Sequence, residues 1–260
     1  MKLGIFSKFR ILVKSSNIFK NWYLFPLVYF NLTKKPHIIF ETKSGLKLKI
    51  RTQSTDLMAL TNVWLTQEYT HQGFDIKNND LVLDIGAHIG LFALFASQFC
   101  KGGKIFCFEP IKENYDLLLE NLELNSVKNI IPFNLAVSTD TKKINMYINE
   151  DEAAHSIFSK GLKSIQVDST SLQKIFDDNK IDLVDFVKMD CEGSEYTIID
   201  ILPLDYFKRI SKMAIEYHFT STKPELSEGL IKKIKNSGFH VKLLPNYDDM
   251  GFLYAIKETS

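Results

Sequence analysis

Four short stretches of the 260-residue chain hold side chains whose types and spacing suit chemistry. Leu81–Leu91 reads LVLDIGAHIGL, an apolar run ending in Asp84 and followed by Gly86, Ala87, His88 and Gly90. Phe106–Pro110 reads FCFEP, with Glu109 and then Pro110 at its end. Val187–Tyr196 reads VKMDCEGSEY, and Ile215–His218 reads IEYH. A glycine turn after a buried strand lets a ligand lie against backbone. A carboxylate ending the next strand can accept hydrogen bonds from both ribose hydroxyls of an adenosine. Three carboxylates (Asp190, Glu192, Glu216) and the imidazole of His218 are groups that take up a proton or share a cation when brought together.

The turn narrows the ligand. Dinucleotide sites use GxGxxG so that backbone can approach a pyrophosphate. Here the order is Gly86-Ala87-His88-Ile89-Gly90, without the inner glycine. Asp84, two residues before Gly86, would sit badly beside a pyrophosphate and well beside an ammonium group. S-adenosylmethionine carries an ammonium, a sulfonium and no phosphate. Glu109 follows Asp84 by about one βα unit, the separation expected when both touch one nucleoside. His88 is read as a residue of the ligand loop rather than a base.

These motifs must be positioned by larger elements. Strand-like runs are Leu81–Ile85, Lys104–Phe108, Ile130–Val137, Leu183–Met189, Met213–Tyr217, Val241–Leu244 and Phe252–Ile256. Helical patterns fall between most of them, at Ile89–Cys100, Lys112–Asn125, Ser194–Leu202 and Glu225–Asn236. The alternation predicts parallel strands joined by right-handed crossovers in a three-layer α/β sandwich. Upstream, HIIFET and LKLKIR around Ser44-Gly45 predict a hairpin, and Asp56–Tyr69 a helix. Val137–Asp182 fits the alternation poorly and reads as an insertion over one face, with a short helix near Leu172–Phe176. The loop PNYDDMG between the last two strands predicts an antiparallel hairpin at one edge. A mostly parallel seven-stranded sheet ending in such a hairpin is similar to the Rossmann-like class I methyltransferases.

The motifs sharpen that likeness. VLDIGAHIGLFAL, IFCFEPIKENYDLLLENLELN, VKMDCEGSEY and IEYH, in this order and spacing from about Leu81 to His218, resemble the FkbM family of S-adenosylmethionine-dependent methyltransferases. The resemblance implies O-methylation of a hydroxyl on a carbohydrate, a lipid-linked glycan or a secondary metabolite. Carried over by position, it makes Asp84, Gly86, Ala87, His88 and Gly90 the first cofactor loop, and Glu109 with Pro110 the ribose side. The chain departs from the pattern at Leu172-Gln173, where many relatives carry Leu-Asp. Before about Leu46 the match is weak.

In the class I sheet the fourth and fifth strands are neighbours about 4.8 Å apart. Their ends should therefore bring Asp190, Glu192, Glu216 and His218 into one volume, the candidate catalytic group. Glu192 and Glu195 also have a simpler reading, as acids complementing a helix dipole. The favoured route is metal-free, with His218 as proton acceptor; the second is a divalent metal on Asp190, Glu216 and His218. His155, in DEAAHS, is a candidate lid residue.

Composition bounds the rest. A net charge of +1 gives no long-range pull towards nucleic acid, which is not expected as a partner. Cys100, Cys107 and Cys191 form no CxxC pair, which suggests a reducing, cytoplasmic setting. Residues 1–45 read as a basic arm plus the start of the hairpin, and 46–260 as the methyltransferase domain. That domain divides into hairpin and helix (37–70), cofactor core (80–218) and C-terminal helix and hairpin (224–256). Met1–Phe40 holds seven lysines and arginines, no acid, and the run WYLFPLVYF. The run is far shorter than the ~20 residues a spanning helix needs. The arm is expected to pack on the domain or to contact an anionic membrane peripherally. Two other functions compete: an NAD-dependent oxidoreductase or epimerase, opposed by the missing GxGxxG and Tyr-x-x-x-Lys, and a non-catalytic cofactor-binding scaffold, opposed by the presence of Asp190 and Glu216.

Overall fold

The computed structural model describes residues 5–71, 73–148, 163–244 and 249–257. Helices α1 (Ile5–Ile18) and α2 (Leu24–Tyr29) precede a hairpin of β1 (His37–Glu41) and β2 (Lys47–Arg51). Helix α3 (Asp56–Leu60) runs into a π-helical segment, Thr61–Thr66. Then come β3 (Leu81–Ile85), α4 (Leu91–Ser97), β4 (Lys104–Phe108), α5 (Lys112–Asn125) and β5 (Ile130–Phe133). Strands β6 (Ala136–Ser138), β7 (Lys143–Ile148) and β8 (Lys163–Ser171) lead to α6 (Leu172–Asp178). The chain continues through β9 (Phe186–Asp190), α7 (Glu195–Ile201), α8 (Leu204–Phe207) and β10 (Lys212–His218). It closes with α9 (Pro224–Asn236), β11 (Phe239–Leu243) and β12 (Met250–Lys257).

Among the described residues, seven strands form one sheet in the order β11-β12-β10-β9-β3-β4-β5. β12 runs antiparallel to both neighbours, β10 and β11, and the other four pairings of the sheet are parallel. β3, β9 and β10 are buried along almost their whole length because helices cover both faces, which is why they read as near-continuous apolar runs. Successive residues serve opposite faces. Val82, Cys107, Phe186 and Ala214 join a core with α4, α5 and the N-terminal elements. Leu83, Phe106, Val187 and Ile215 join a second core with α6, α7 and α9. From β3 the chain winds outward through β4 and β5, then crosses to β9 on the other side of β3. Strand order therefore reverses at β3, the place where open α/β sheets bind ligands.

Two elements of this frame differ from the sequence expectations. The helix predicted over Asp56–Tyr69 is α-helical only to Leu60 and then widens. Val63, Trp64 and Leu65 are consecutive and all buried, more of the circumference than an α-helix turns inward on one side. The wider turn accommodates them, with Thr66 Oγ1 donating back to the carbonyls of Thr61 and Asn62. The strand predicted over Ile130–Val137 breaks in two. Pro132 has no N–H to donate, so β5 is an edge strand. Ala136–Ser138 leaves it to pair with β8 in a separate sheet of order β6-β8-β7. The N-terminal segment packs on the domain, one of the two placements expected for it: Phe19, Phe25 and Val28 lie in the same core as Leu48, Trp64 and Phe95. His155 lies outside the described residues.

Candidate active site

β3 ends at Ile85 and the chain turns at Gly86, φ 76°. A Cβ there would lie 1.8 Å from the carbonyl oxygen of Asp190, so the glycine is required by the end of β9 pressing on the turn. At Gly90, φ 82°, a Cβ would lie 3.1 Å from Leu118 Cγ, which fixes how closely the start of α4 meets α5. α4 itself is shorter than predicted, beginning at Leu91 rather than Ile89 and ending at Ser97.

Asp84 is not at the edge of the cleft, as the sequence suggested. It is fully buried beneath the turn. The parallel register sets it directly beside Lys188, with Nζ 3.2 Å from Oδ1. Lys188 also donates to the carbonyl of Gly86 and lies 3.9 Å from Asp190. Burial works against the charge on Lys188, but Asp84 and Asp190 more than offset it and hold its pKa above the ordinary lysine value. A lysine inside the apolar strand FVKMD was the sequence signal for this pair.

The ribose side is assembled around Glu109. Its Oε2 accepts from the backbone N–H of His88 at 2.8 Å, and Oε1 from that of Ile111 at 2.8 Å. Burial pushes the Glu109 carboxyl up to about 7 against the pull of those two donors. Asn134 donates to the carbonyls of Glu109 and Pro110 and holds the end of β4 in place. His88 stands at φ 51°, in the left-handed region. Its Nε2 lies 3.1 Å from Arg51 Nη2, a group that can only donate, so Nε2 accepts and the ring is neutral. Burial, with the nearby charges of Arg51 and Lys188, takes its pKa down to about 4 despite Asp56. Arg51 grips Asp56 at 2.8 and 3.0 Å and reaches Asn114 Oδ1 at 2.8 Å. The hairpin thus locks the cofactor loop, a role the sequence reading missed.

At the other end of the cleft, Asp190 and Glu216 are register partners on β9 and β10. The Tyr69 hydroxyl lies 2.9 Å from Asp190 Oδ2 and 2.8 Å from Glu216 Oε2. A hydroxyl has one proton, so the second contact needs a protonated carboxyl. Burial and the charge of Asp190 push Glu216 up to about 8, which supplies it. Tyr69 was another omission; the π-helical widening and the left-handed turn at Gln67 bring it here.

Two residues on, His218 is held by Glu195. The carboxylate Oε1 accepts from the His218 backbone N–H at 2.9 Å and lies 3.2 Å from Nδ1. Its Oε2 accepts from the Gly193 N–H at 2.8 Å. Glu195 is at the start of α7 yet fully buried, a positioning residue rather than a helix-dipole charge on the surface. His218 Nε2 faces Glu192 Oε2 at 3.4 Å and Glu216 Oε1 at 3.8 Å. Burial opposes a charge on His218, but the bond to Glu195 and the surrounding carboxylates raise its pKa to about 10. Burial raises Glu192 to about 8. His88, Glu192 and Phe219 all take positive φ (51°, 52° and 63°) and all line one cleft of about 770 Å³. Backbone held this way by its surroundings is commonest at functional sites. A second hollow, about 380 Å³, lies by Lys49 and Glu120, which neutralise each other at 2.5 Å.

The donor set fits a nucleoside with a cationic, phosphate-free tail. Glu109 offers an acceptor at one end, and carboxylates crowd the other. Among the described residues of the cleft lining, Lys188 is the one lysine or arginine, and it is committed to Asp84.

Comparison with known proteins agrees. Residues 84–248 match the family profile described as the Methyltransferase FkbM domain. Methyltransferase sdnD of Sordaria araneosa is 23% identical over 184 residues, covering 57% of this chain and 71% of that protein. Methyltransferase FkbM from Methylobacillus flagellatus KT superposes with a TM-score of 0.50 at 19% identity, over 76% of this chain and 53% of that one. TYW2 of M. jannaschii, solved in complex with AdoMet, gives 0.45 at 16% identity, over 86% and 85% of the two chains. With the profile covering well over half its length, this chain belongs to the FkbM methyltransferase family and is a class I methyltransferase that uses S-adenosylmethionine.

Proposed function

We propose that the protein transfers the methyl group to a hydroxyl of a carbohydrate, a lipid-linked glycan or a secondary metabolite. The observation that carries this is the Tyr69 hydroxyl seated between Asp190 and Glu216, since an arrangement that already accommodates one hydroxyl suits a second beside it. When bound, the cofactor supplies a methyl already activated by its positive sulfur. The chain's part is to hold the acceptor oxygen in line and remove its proton. Asp190 would take the proton that the hydroxyl gives up on methylation, and the products would be S-adenosylhomocysteine and a methyl ether. His218 orients rather than accepts, because both of its ring nitrogens face carboxylates. Glu216 holds the acceptor beside Asp190, and Glu192 closes the far side. Cofactor carrying a ¹³C-methyl, incubated with host extract, tests this. The expected product has the chemical shift of an O-methyl on a polar metabolite or glycan; an N- or C-methyl product would overturn it.

A second reading concerns the N-terminal elements. Tyr23, Leu27 and Phe30 fall at i, i+4 and i+7 around α2 and are 57%, 37% and 61% exposed, with Leu32 at 69%. Lys34 and Lys35 are exposed near them in sequence, while Lys20 is paired with Glu41 at 2.6 Å. Aromatic insertion beside basic side chains suits peripheral contact with anionic lipid, ~1 kcal/mol for each lysine at the surface. It would bring the cleft to a lipid-linked acceptor. Among the described residues no helix is long and apolar enough to cross a membrane. Sedimentation with anionic vesicles should show salt-sensitive binding that replacing the exposed Tyr23, Phe30 and Leu32 by serine abolishes. Equal pelleting with neutral vesicles would sink this reading.

A further inference from the structure

We propose that Asp190, Glu192 and His218 bind one divalent transition-metal cation at the acceptor end of the cleft. One oxygen or nitrogen from each of the three lies within 4.8 Å of the others. The separation of His218 Nε2 from Glu192 Oε2 is 3.4 Å. That is too long for a good hydrogen bond, and close to the ~3.4 Å edge of a tetrahedron whose ligands stand about 2.1 Å from a zinc-like ion.

The imidazole is the independent observation. His218 is 6% exposed, and its Nε2 has no hydrogen-bond partner among the described residues although it lines the cleft. Its other nitrogen faces the buried carboxylate of Glu195 at 3.2 Å. Carboxylate–histidine pairing of this kind fixes the ring, and Nε2, once it gives up its proton to the incoming cation, becomes the donor atom, the arrangement that metal-bound histidines show. Glu195 in turn is fastened by the Gly193 N–H and the His218 N–H, so the ring is held from behind by a rigid group.

Charge and access agree with a cation. Asp190, Glu192 and Glu195 converge on His218 here, with the neutral Glu216 carboxyl beside them, while Lys188 is closer to Asp84 than to Asp190. The side chains of Asp190 and Glu192 stay 26% and 29% exposed, which leaves a coordination position open to the cleft. One imidazole and two carboxylates with an open position is an N/O set suited to zinc, manganese or cobalt. An acceptor hydroxyl entering that position would become more acidic. That consequence rests on the hydroxyl-acceptor reading; the cation site itself does not, and it is measured without any acceptor.

The test is titration of the full-length protein with Co²⁺ followed by visible absorption, and with Zn²⁺ and Mn²⁺ by calorimetry. One equivalent should bind with micromolar affinity, with ligand-field bands for Co²⁺. His218→Gln and Glu192→Gln should each weaken binding at least ~30-fold, and Glu195→Gln ~10–100-fold as an orienting residue. Glu113→Gln, at an exposed position in α5's first turn outside the cleft lining, should bind like wild type. S-adenosylhomocysteine affinity and the thermal midpoint of each variant, measured in parallel, show that the fold is intact. No cation binding below millimolar concentration, or unchanged affinity in folded Glu192→Gln and His218→Gln, would overturn the site. If the cation binds but the methylated product proves not to be an ether, the acceptor reading fails and the metal site stands.

Discussion

The two ends of the cleft are built from the same residue types and treat charge in opposite ways. At the cofactor-loop end each acid has a local partner: Asp84 has Lys188, Asp56 has Arg51, and Glu109 has two backbone N–H donors. At the acceptor end four carboxylates surround one imidazole, and Nε2 of that ring has no hydrogen bond. The first end has its charges paired without a ligand, although neither Asp84 oxygen accepts a hydrogen bond from the described residues, and it serves as a rigid template. The second stores protons and charge and is completed by what binds there. Rigidity and unfinished electrostatics are thus placed about one strand apart, on β3 and on β9 with β10.

The sharpest way to break the comparison is to make the complete end incomplete. Lys188→Met strands the fully buried Asp84, and removing one partner of a buried pair costs ~3–5 kcal/mol. Urea unfolding should show a loss of that size, with more than half recovered in Asp84→Asn/Lys188→Met. A loss below about 1 kcal/mol would mean that the pair contributes little and the template is held by backbone alone. At the acceptor end, Asp190→Asn should cut turnover on the true acceptor ~100-fold, about 2.7 kcal/mol of transition-state stabilisation, with cofactor affinity within a few-fold. Near-wild-type turnover in both Asp190→Asn and Glu216→Gln would make this end structural, and His155 would be the next residue to test.

Glu109 sharpens the contrast, because it is an acid of the complete end that still faces ligand. Glu109→Ala should weaken S-adenosylhomocysteine binding by ~1.5–3 kcal/mol, tenfold to a hundredfold by calorimetry, while exposed Glu123→Ala changes it little. The same residue sets a pH dependence. Burial raises its pKa to about 7, and the ionised form is the better ribose acceptor. Below pH 7 a proton must leave on binding, so affinity should fall by up to about tenfold per pH unit and stay level above pH 7. Glu109→Gln should remove that slope, and a slope that persists would assign it elsewhere. The smallest effect is expected from Tyr69→Phe. It removes one shared hydroxyl from carboxylates that can regain water from the cleft, a loss of about 1 kcal/mol in thermal unfolding.

How much of this was readable from the chain varied with the kind of interaction. β3, β4, β9 and β10 were legible because strands covered on both faces must be apolar throughout. Glu109 and the Asp190–Glu216 pairing were legible because strand ends in a parallel sheet share one edge. The break after Phe133 could have been read from Pro132, which cannot donate to a second neighbour. Tyr69, Arg51 and Glu195 were not read as site residues. Each looks ordinary in its own segment and acts through a partner 147, 63 or 23 positions away.

By itself the sequence determined the alternation of strands and helices, the glycines of the first turn, and the acids that end the strands. Those follow from local sterics and from burial periodicity, which need only near neighbours. The tertiary structure alone decided which acids are neutralised and which are left facing the cleft. Asp84 and Asp190 both end apolar strands, yet the register of β3 against β9 puts Asp84 under Gly86 with Lys188, and the close approach of β9 leaves Asp190 at the opening with Tyr69 and Glu216. Charge interactions depend on distance and desolvation, and both are set only when distant segments pack.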